Sequence, residues 1–219
     1  MDLSPPRTED ELLKRARELT GMRIGNLAAR LGVHLPADRR RSKGSAGQLI
    51  EQWLGATAKS LSMPDFPALG VELKTIPINA NGRPAESTHV CAATLRPAPG
   101  DNFAASCVAR KLSRVLWCPL EAASTIPLAE RRIGSARMWS PSDDQWLKIR
   151  LDWEELTDLI AFGQVNAITA RHGEVLQLRP KGASSRETVA AVGPDGSIIQ
   201  TNPRGFYLRP GFTATVLNS

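Results

Sequence analysis

The chain has 219 residues, 42% of them hydrophobic and 23% charged, which is typical of a globular protein with a buried core and excludes a disordered chain. No apolar run approaches the roughly 20 residues of a membrane span, and the acidic, polar start differs from a secretory signal, so we expect a cytoplasmic protein without a membrane partner. The net charge of +6 favours partners that carry phosphate.

Helices are predicted for the first part of the chain. Thr8 and Glu11 form a capping box, and the helix that they begin is expected to stop at Gly21. A second, short helix is predicted near 24–31. After a basic stretch, apolar residues recur at three- and four-residue spacing up to Gly55, which predicts a third helix.

From residue 69 onward, alternating and β-branched residues predict strands. The segment LGVELKTIPI (69–78) is expected to form one strand, and the turn signal NGRP (81–84) predicts a hairpin with STHVCAATL (87–95). Two further strands are predicted at RVLWCPL (114–120) and RRIGSARMWS (131–140).

The remaining chain combines one long helix with short strands. Ser140 and Pro141 predict the start of the long helix, whose apolar residues continue to Ile160. The other predicted elements are a strand at 174–180, a short helix near 185–193, a turn at Asp195-Gly196 and a strand pair closing through 204–210. This order predicts an α/β fold with a mixed sheet and flanking helices.

One predicted strand carries charges within an apolar sequence. Because successive side chains of a strand alternate, Glu72 and Lys74 are predicted to project together from the face opposite Val71 and Leu73. Asp65 precedes the strand, and a short loop could fold its carboxylate back toward Glu72. Two carboxylates at such a short distance repel each other unless a hard cation such as Mg²⁺ lies between them.

These groups suit metal-assisted phosphodiester hydrolysis, with the lysine orienting a water or stabilising charge on the phosphate. An ordinary solvent-exposed strand face is the competing interpretation, because alternating Glu and Lys is common in charged chains. Glu51, on the third helix, could add another carboxylate. The string from Asp65 to Lys74 resembles the Pro-Asp…Asp/Glu-x-Lys motif of a nuclease superfamily, which is the fold of many type II restriction enzymes.

Longer stretches resemble the MutH family of DNA mismatch repair endonucleases. They include KGSAGQLIEQWLGA, DFPALGVELKTIPI, RKLSRVLWCPLE, ITARHGEVLQLRPK and PRGFYLRPGFT, and they cover most of the chain between residues 43 and 213. The resemblance implies a restriction-endonuclease-like fold with two lobes around a DNA-binding cleft. The N-terminal lobe, roughly 1–115, is expected to carry most catalytic residues, and the C-terminal lobe, roughly 116–219, the recognition of DNA sequence and methylation.

The same resemblance implies an activity. The protein is expected to nick the unmethylated strand of double-stranded DNA at hemimethylated GATC sites, leaving a 5′-phosphate and a 3′-hydroxyl. MutL is expected to activate it after MutS has found a mismatch, and the protein itself is expected to be a monomer.

Catalytic roles follow from the resemblance residue by residue. Asp65 and Glu72 are expected to ligate Mg²⁺, for which Mn²⁺ or Ca²⁺ could substitute, and Lys74 is expected to position the attacking water. Glu51 is expected to be an auxiliary acidic residue, and Lys111 a second active-site lysine near the scissile phosphate. From the residues alone, Lys111 is better explained as part of an exposed helix face.

The resemblance also implies DNA-contacting residues. Major-groove base edges are read by positioned polar side chains, and a methyl group on adenine can be sensed by whatever packs against its amino group. The residues expected to contact DNA are Lys43, Gly44, Arg179, Pro180, Lys181 and Tyr207. From the residues alone, Tyr207 is better explained as a half-buried strand tyrosine.

Two other functions stay open at this point. A restriction-type GATC endonuclease of related fold would cut both strands without a partner protein. A non-catalytic DNA-binding module would keep the basic surface, although such a relative would be expected to lose a carboxylate or the lysine.

Overall fold

The computed structural model describes residues 4–36, 44–58, 62–181 and 187–218. Its helices are α1 (Glu9–Glu18), α2 (Ile24–Leu31), α3 (Ser45–Leu54), α4 (Cys107–Leu112), α5 (Asp143–Ala161) and α6 (Pro210–Asn218). Its strands are β1 (Glu72–Ile78), β2 (Thr88–Ala92), β3 (Val115–Glu121), β4 (Arg137–Trp139), β5 (Leu176–Pro180), β6 (Val189–Val192), β7 (Ile198–Thr201) and β8 (Arg204–Leu208). The predicted α/β class is confirmed. None of the described helices combines the length and apolar character that a membrane span needs.

Two compact units alternate along the chain. The first comprises Met1–Glu86, Ser113–Ser140 and Val216–Ser219, and the second comprises Ser87–Leu112 and Pro141–Thr215. The sequence predicted two contiguous lobes instead. The division differs because residues 113–140 contain β3 and β4, which form their sheet with β1 and therefore belong to the first unit.

The first unit packs α1, α2 and α3 with a three-stranded sheet of order β1-β3-β4. β1 pairs in parallel with β3, and β4 pairs antiparallel to β3. Thr8 caps α1 by accepting a hydrogen bond from the Glu11 N–H, while the Glu11 carboxylate accepts one from the Arg7 N–H. The core of this unit includes Leu12, Leu19, Ile24, Leu27, Ile50, Leu54, Val71 and Leu116.

The predicted hairpin of β1 with β2 is wrong. The chain does reverse after β1, through a turn in which Asn79 accepts hydrogen bonds from two backbone N–H groups, but the reversal is limited to a bridge between Ile78 and Pro84. β2 then pairs antiparallel with β8. Turn residues report that the chain changes direction, whereas strand pairing depends on distant segments, which local signals do not contain.

The predicted short helix near 185–193 is also wrong where the structure describes it, since Val189–Val192 is strand β6. β6 pairs antiparallel with β7 across the expected turn at Asp195 and Gly196. Its two valines are β-branched and fit a paired strand better than a helix.

In the second unit, β8 is the central strand of a sheet ordered β2-β8-β5. The long helix α5 begins later than predicted, because Ser142 is its N-cap and forms a reciprocal capping box with Gln145. One face of α5 is buried at Ile149, Trp153, Leu156 and Ile160. This face packs within the unit and supports the sheet.

Asp152 of α5 anchors the start of β5. Asp152 is 7% exposed, and its carboxylate accepts hydrogen bonds of 2.8, 2.7 and 2.7 Å from the N–H groups of Glu174, Val175 and Leu176. The Arg209 guanidinium donates to three backbone carbonyl groups in 170–173. The segment that leads into β5 is therefore held by a carboxylate that binds its N–H groups and by a guanidinium that binds its carbonyl groups.

Candidate active site

Strand β1 carries a buried ion pair. Lys74 Nζ lies 2.6 Å from Glu72 Oε1, and the two side chains are 11% and 2% exposed. Glu72 and Lys74 thus lie on one side of the strand, as alternation predicts. The interpretation of a solvent-exposed strand face is wrong, because Glu72 is as well buried as its neighbours Val71 and Leu73.

Asp65 is held against β1 by a tight turn. Phe66 and Val71 bond to each other through their backbones, and Gly70 adopts a left-handed conformation between them (φ 67°). The turn brings Asp65 Oδ2 to 2.9 Å from the N–H of Leu73, which donates to it. The Asp65 carboxylate therefore lies beside the peptide that joins Glu72 to Leu73.

Glu51 lies on α3, a helix that contacts β1. Gly47, one turn earlier on α3, lies near the strand, since a Cβ there would be in ordinary van der Waals contact with Thr75 Oγ1 at 3.8 Å. Within the described residues, however, no group of three or more His, Cys, Asp or Glu side chains is placed to hold a metal ion. The candidate metal ligands are therefore Glu72 on β1 and Asp65 beside it, and Glu51 is not part of a preformed three-ligand cluster with them.

The backbone of β1 is tied to α1 through Arg114. The Arg114 carbonyl accepts a 2.9 Å hydrogen bond from the Glu72 N–H, and its guanidinium binds both carboxylate oxygens of Glu9. The hydrogen bond from Arg114 holds the pKa of Glu9 below its ordinary value.

In the neighbouring strand β3, burial raises the pKa of the Cys118 thiol to about 12, as expected for a cysteine that packs in the core.

Lys111 belongs to the second unit. It lies on α4, which packs on β2, and it is only 8% exposed. The interpretation of an exposed helix face is therefore wrong. A lysine so buried needs partners for its charge, which sets it apart from the solvated lysines of the chain.

Tyr207 lies at the centre of a polar face on the β2-β8-β5 sheet. It stands opposite His89 on one neighbouring strand and Gln177 on the other. The His89 ring meets it edge-on, with centroids 5.0 Å apart, and the Arg179 guanidinium carbon lies 5.8 Å from its ring centroid. Tyr207 is half-buried, as expected for a strand tyrosine, and its contact with DNA stays a prediction.

The other predicted DNA contacts are spread over both units. Pro180 ends β5, and Lys181 follows it, exposed, with its N–H bonded to the Pro203 carbonyl. Gly44 is the N-cap of α3 in the first unit, in a left-handed conformation (φ 86°). Lys43 lies outside the described residues.

Three residues of the polar face escaped prediction from the sequence. Ser87 Oγ accepts hydrogen bonds from Gln177 Nε2 at 2.6 Å and from Arg179 Nη1 at 2.9 Å. Gly205 lies beneath the rings, since a Cβ there would be 3.2 Å from Tyr207 and 3.3 Å from His89. Strand alternation with Arg179 could have indicated Gln177. No local signal indicates Ser87, which is 92 residues from Arg179.

Comparison with known proteins decides the family. A family model described as DNA mismatch repair enzyme MutH matches residues 54–152. The DNA mismatch repair protein MutH of Klebsiella pneumoniae (strain 342) is 54% identical over 214 residues, covering 98% of this chain and 93% of the relative. The protein of the same name from Salmonella paratyphi C (strain RKS4594) is 54% identical over 215 residues, with the same coverage. This chain belongs to the MutH family.

Membership confirms the resemblance found in the motifs and makes the chain a DNA endonuclease of mismatch repair. The segment that matches the MutH family model contains Asp65, Glu72, Lys74 and Lys111, and it ends before β5 begins. The family model thus covers β1 and the sheet around it, while the polar face around Tyr207 is completed by later strands.

Proposed function

We propose that this MutH-family chain nicks the unmethylated strand of double-stranded DNA at hemimethylated GATC sites by Mg²⁺-dependent hydrolysis, leaving a 5′-phosphate and a 3′-hydroxyl. The observation that carries the proposal is the buried Glu72–Lys74 pair with the Asp65 carboxylate beside it. Burying charges is unfavourable, so an acidic pair and a lysine at the start of a covered strand indicate chemistry more than stability.

Asp65 and Glu72 would hold the metal ion. Mg²⁺ is usually bound by one or two carboxylates, with waters and substrate phosphate oxygens completing its shell. The Asp65 and Glu72 carboxylates, beside and on β1, suit that mode of binding. When bound, the metal supplies an activated water and neutralises charge at the phosphate. Mn²⁺ or Ca²⁺ would bind to the same oxygens.

Lys74 would position the attacking water and stabilise negative charge that develops on the phosphate. Its side chain is 11% exposed and its ammonium group binds Glu72, so its charge acts in a partly desolvated place where electrostatic interactions are stronger than in water. Lys111 would supply a second cation near the scissile phosphate, and Glu51 would support the acidic side of the same site.

Sequence recognition would use the polar face around Tyr207. The guanidinium of Arg179 can donate two hydrogen bonds to a guanine edge, and the Tyr207 ring would pack near the adenine amino group, where a methyl group would be felt. Pro180 and Lys181 would contact DNA next to them. Lys43 and Gly44 would contact it from the first unit.

The proposal includes the biological setting expected of the family. The chain would act as a monomer in the cytoplasm, and MutL would activate it after MutS has located a mismatch. Family membership supports this setting, and each part of it is open to direct test.

Plasmid nicking tests the proposal. The protein would be incubated with Mg²⁺ and unmethylated, hemimethylated or fully methylated GATC plasmid, with and without MutL. We expect nicks in the unmethylated strand, stimulation by MutL, no cutting of fully methylated DNA and no cutting after chelation of the metal. Cutting that ignores methylation would overturn the proposal. Cleavage of both strands without MutL would favour a restriction-type enzyme, and binding without any cutting a non-catalytic module.

A further inference from the structure

We propose that Ser87 is a positioning residue for DNA recognition, because its hydroxyl holds the Arg179 guanidinium over the ring of Tyr207. This inference rests on the proposed function, in which Arg179 and Tyr207 contact the recognition site. It adds a residue from a different strand segment, which acts through Arg179 and does not itself read a base.

The hydrogen bonds of Ser87 carry the first step. Its Oγ accepts from Arg179 Nη1 at 2.9 Å and from Gln177 Nε2 at 2.6 Å. Arg179 is otherwise exposed at the end of β5, with several rotatable bonds and no carboxylate in contact with it in the described part of the chain. The hydroxyl therefore restricts a side chain that would otherwise sample many rotamers.

Gln177 makes the hydroxyl a fixed support. Its side chain is 7% exposed and lies on β5 opposite Tyr207, so its amide has little freedom to move. Because the Gln177 side-chain amide donates to Ser87 Oγ, the serine oxygen is held in place while it binds the guanidinium. The buried glutamine thus restricts the serine, and the serine in turn restricts the exposed arginine.

The aromatic rings fix the other side of the guanidinium. Tyr207 supports Arg179 from its ring face at 5.8 Å, and His89 meets the Tyr207 ring edge-on. Gly205 leaves room for these rings, since a Cβ at this position would come within 3.2 Å of the Tyr207 ring and displace it. Arg179 is thus held by a hydrogen bond on one side and an aromatic face on the other before DNA arrives.

Pre-organisation predicts a specific kinetic signature. A guanidinium already oriented loses less entropy when it binds a base edge, so removing its support weakens binding of the correct site. The chemical step should not change, because the two side chains that donate to the Ser87 hydroxyl, Arg179 and Gln177, both lie on β5 of the recognition sheet. The effect should therefore appear in KM and in the preference for GATC, with kcat retained.

The test compares Ser87→Ala, Ser87→Thr and the matched control Ser197→Ala, whose serine lies in the β6–β7 turn and bonds Asp195. Nicking of hemimethylated GATC and of a site with one base pair changed would be measured for kcat and KM. We expect Ser87→Ala to raise KM for GATC about tenfold, with kcat unchanged. The ratio of kcat/KM for GATC to kcat/KM for the changed site should become smaller. Ser87→Thr, which keeps the hydroxyl, and Ser197→Ala should behave as the wild type.

A double-mutant comparison keeps the test decisive even if Ser87→Ala also lowers stability. In an Arg179→Ala background, adding Ser87→Ala should change KM by less than about twofold, because the serine then has no guanidinium to hold. The inference would be overturned if the effects of Ser87→Ala and Arg179→Ala on KM were fully additive. It would also be overturned if Ser87→Ala alone left KM unchanged. A wild-type protein with no preference for GATC would overturn the proposed function itself, so the two failures are distinguishable.

Discussion

Strand β1 and the sheet β2-β8-β5 assemble their polar side chains in different ways. On β1, Glu72 and Lys74 meet because they are two residues apart on one strand, and a single turn adds Asp65. On the other sheet, Ser87 and Arg179 meet across 92 residues of sequence. The candidate catalytic group is therefore a local feature of the chain, whereas the candidate recognition surface exists only after three distant strands have paired.

The largest expected effect separates the two regions by activity. Glu72→Gln keeps the shape of the side chain but removes the charge that a metal ion and Lys74 require. We expect single-turnover nicking to fall about 10³-fold, with the Kd for GATC DNA changed less than about twofold. Glu18→Gln, on the exposed end of α1, is the matched control. A Glu72→Gln variant that still nicks at the wild-type rate would contradict a catalytic role for β1.

The next prediction concerns the stability of the recognition sheet. Asp152→Ala leaves the N–H groups of Glu174, Val175 and Leu176 without their acceptor, so we expect a loss of about 3 kcal/mol in the free energy of unfolding. Urea unfolding would measure it. Asp158→Ala, on the exposed face of the same helix, should stay within about 0.5 kcal/mol of the wild type. A loss below about 1 kcal/mol would show that β5 does not depend on this anchor.

A third variant should reverse the pattern of Glu72→Gln. Arg179→Ala removes a charged reader from the polar face, and we expect the Kd for GATC DNA to rise about tenfold or more while kcat at saturating DNA is retained. Arg171→Ala removes the same charge from an exposed loop of the same unit and serves as the control for net charge. An equal rise in Kd for both variants would mean that the loss of one positive charge explains the weaker binding, whatever the position of the arginine.

The smallest effect lies in the first unit, at the Glu9–Arg114 pair. Because Arg114 lowers the pKa of Glu9, the pair stabilises the fold above the ordinary pKa of 4.5, and this stabilisation is lost as pH falls through the lowered pKa. Both side chains are about one-third exposed, so we expect Glu9→Gln to cost about 0.5 kcal/mol at neutral pH. Urea unfolding from neutral to strongly acidic pH should show the difference from wild type disappearing, and a difference that does not depend on pH would contradict the assignment.

Local patterns were sufficient for many elements of the fold. Helical spacing predicted α1, α2 and α3, and β-branched runs predicted β1, β3 and the region of β8. Strand pairing was not predictable in this way, because β1 pairs with β3 and β2 with β8 across intervening helices and loops. The misassigned strand β6 had only four residues, too few for its period to distinguish strand from helix.

The same division applies to the candidate sites. The spacing of Asp65, Glu72 and Lys74 could suggest that they lie together, since alternation and one turn place them. Their catalytic roles were predicted from the resemblance of the surrounding stretches, because the spacing also fits an ordinary strand face. The placement of Arg179 and Tyr207 on one face could not be derived from spacing, because Arg179 lies on β5 and Tyr207 on β8, and the pairing of these two strands sets their register. Ser87 required the folded chain, since only the hydrogen bonds of its hydroxyl distinguish it from other serines.

The alternation of the two units along the chain determines how the gene can be divided. β1 forms its sheet with β3, which is encoded after the whole 87–112 segment of the other unit. A fragment that ends near residue 112 would thus keep the carboxylates and the lysine but lack β3, the strand that pairs with β1. Neither unit corresponds to one continuous segment of the chain, so exchanging a whole unit between relatives requires joining segments at four points. A single crossover between residues 87 and 112 would instead pair β1 of one parent with β3 of the other.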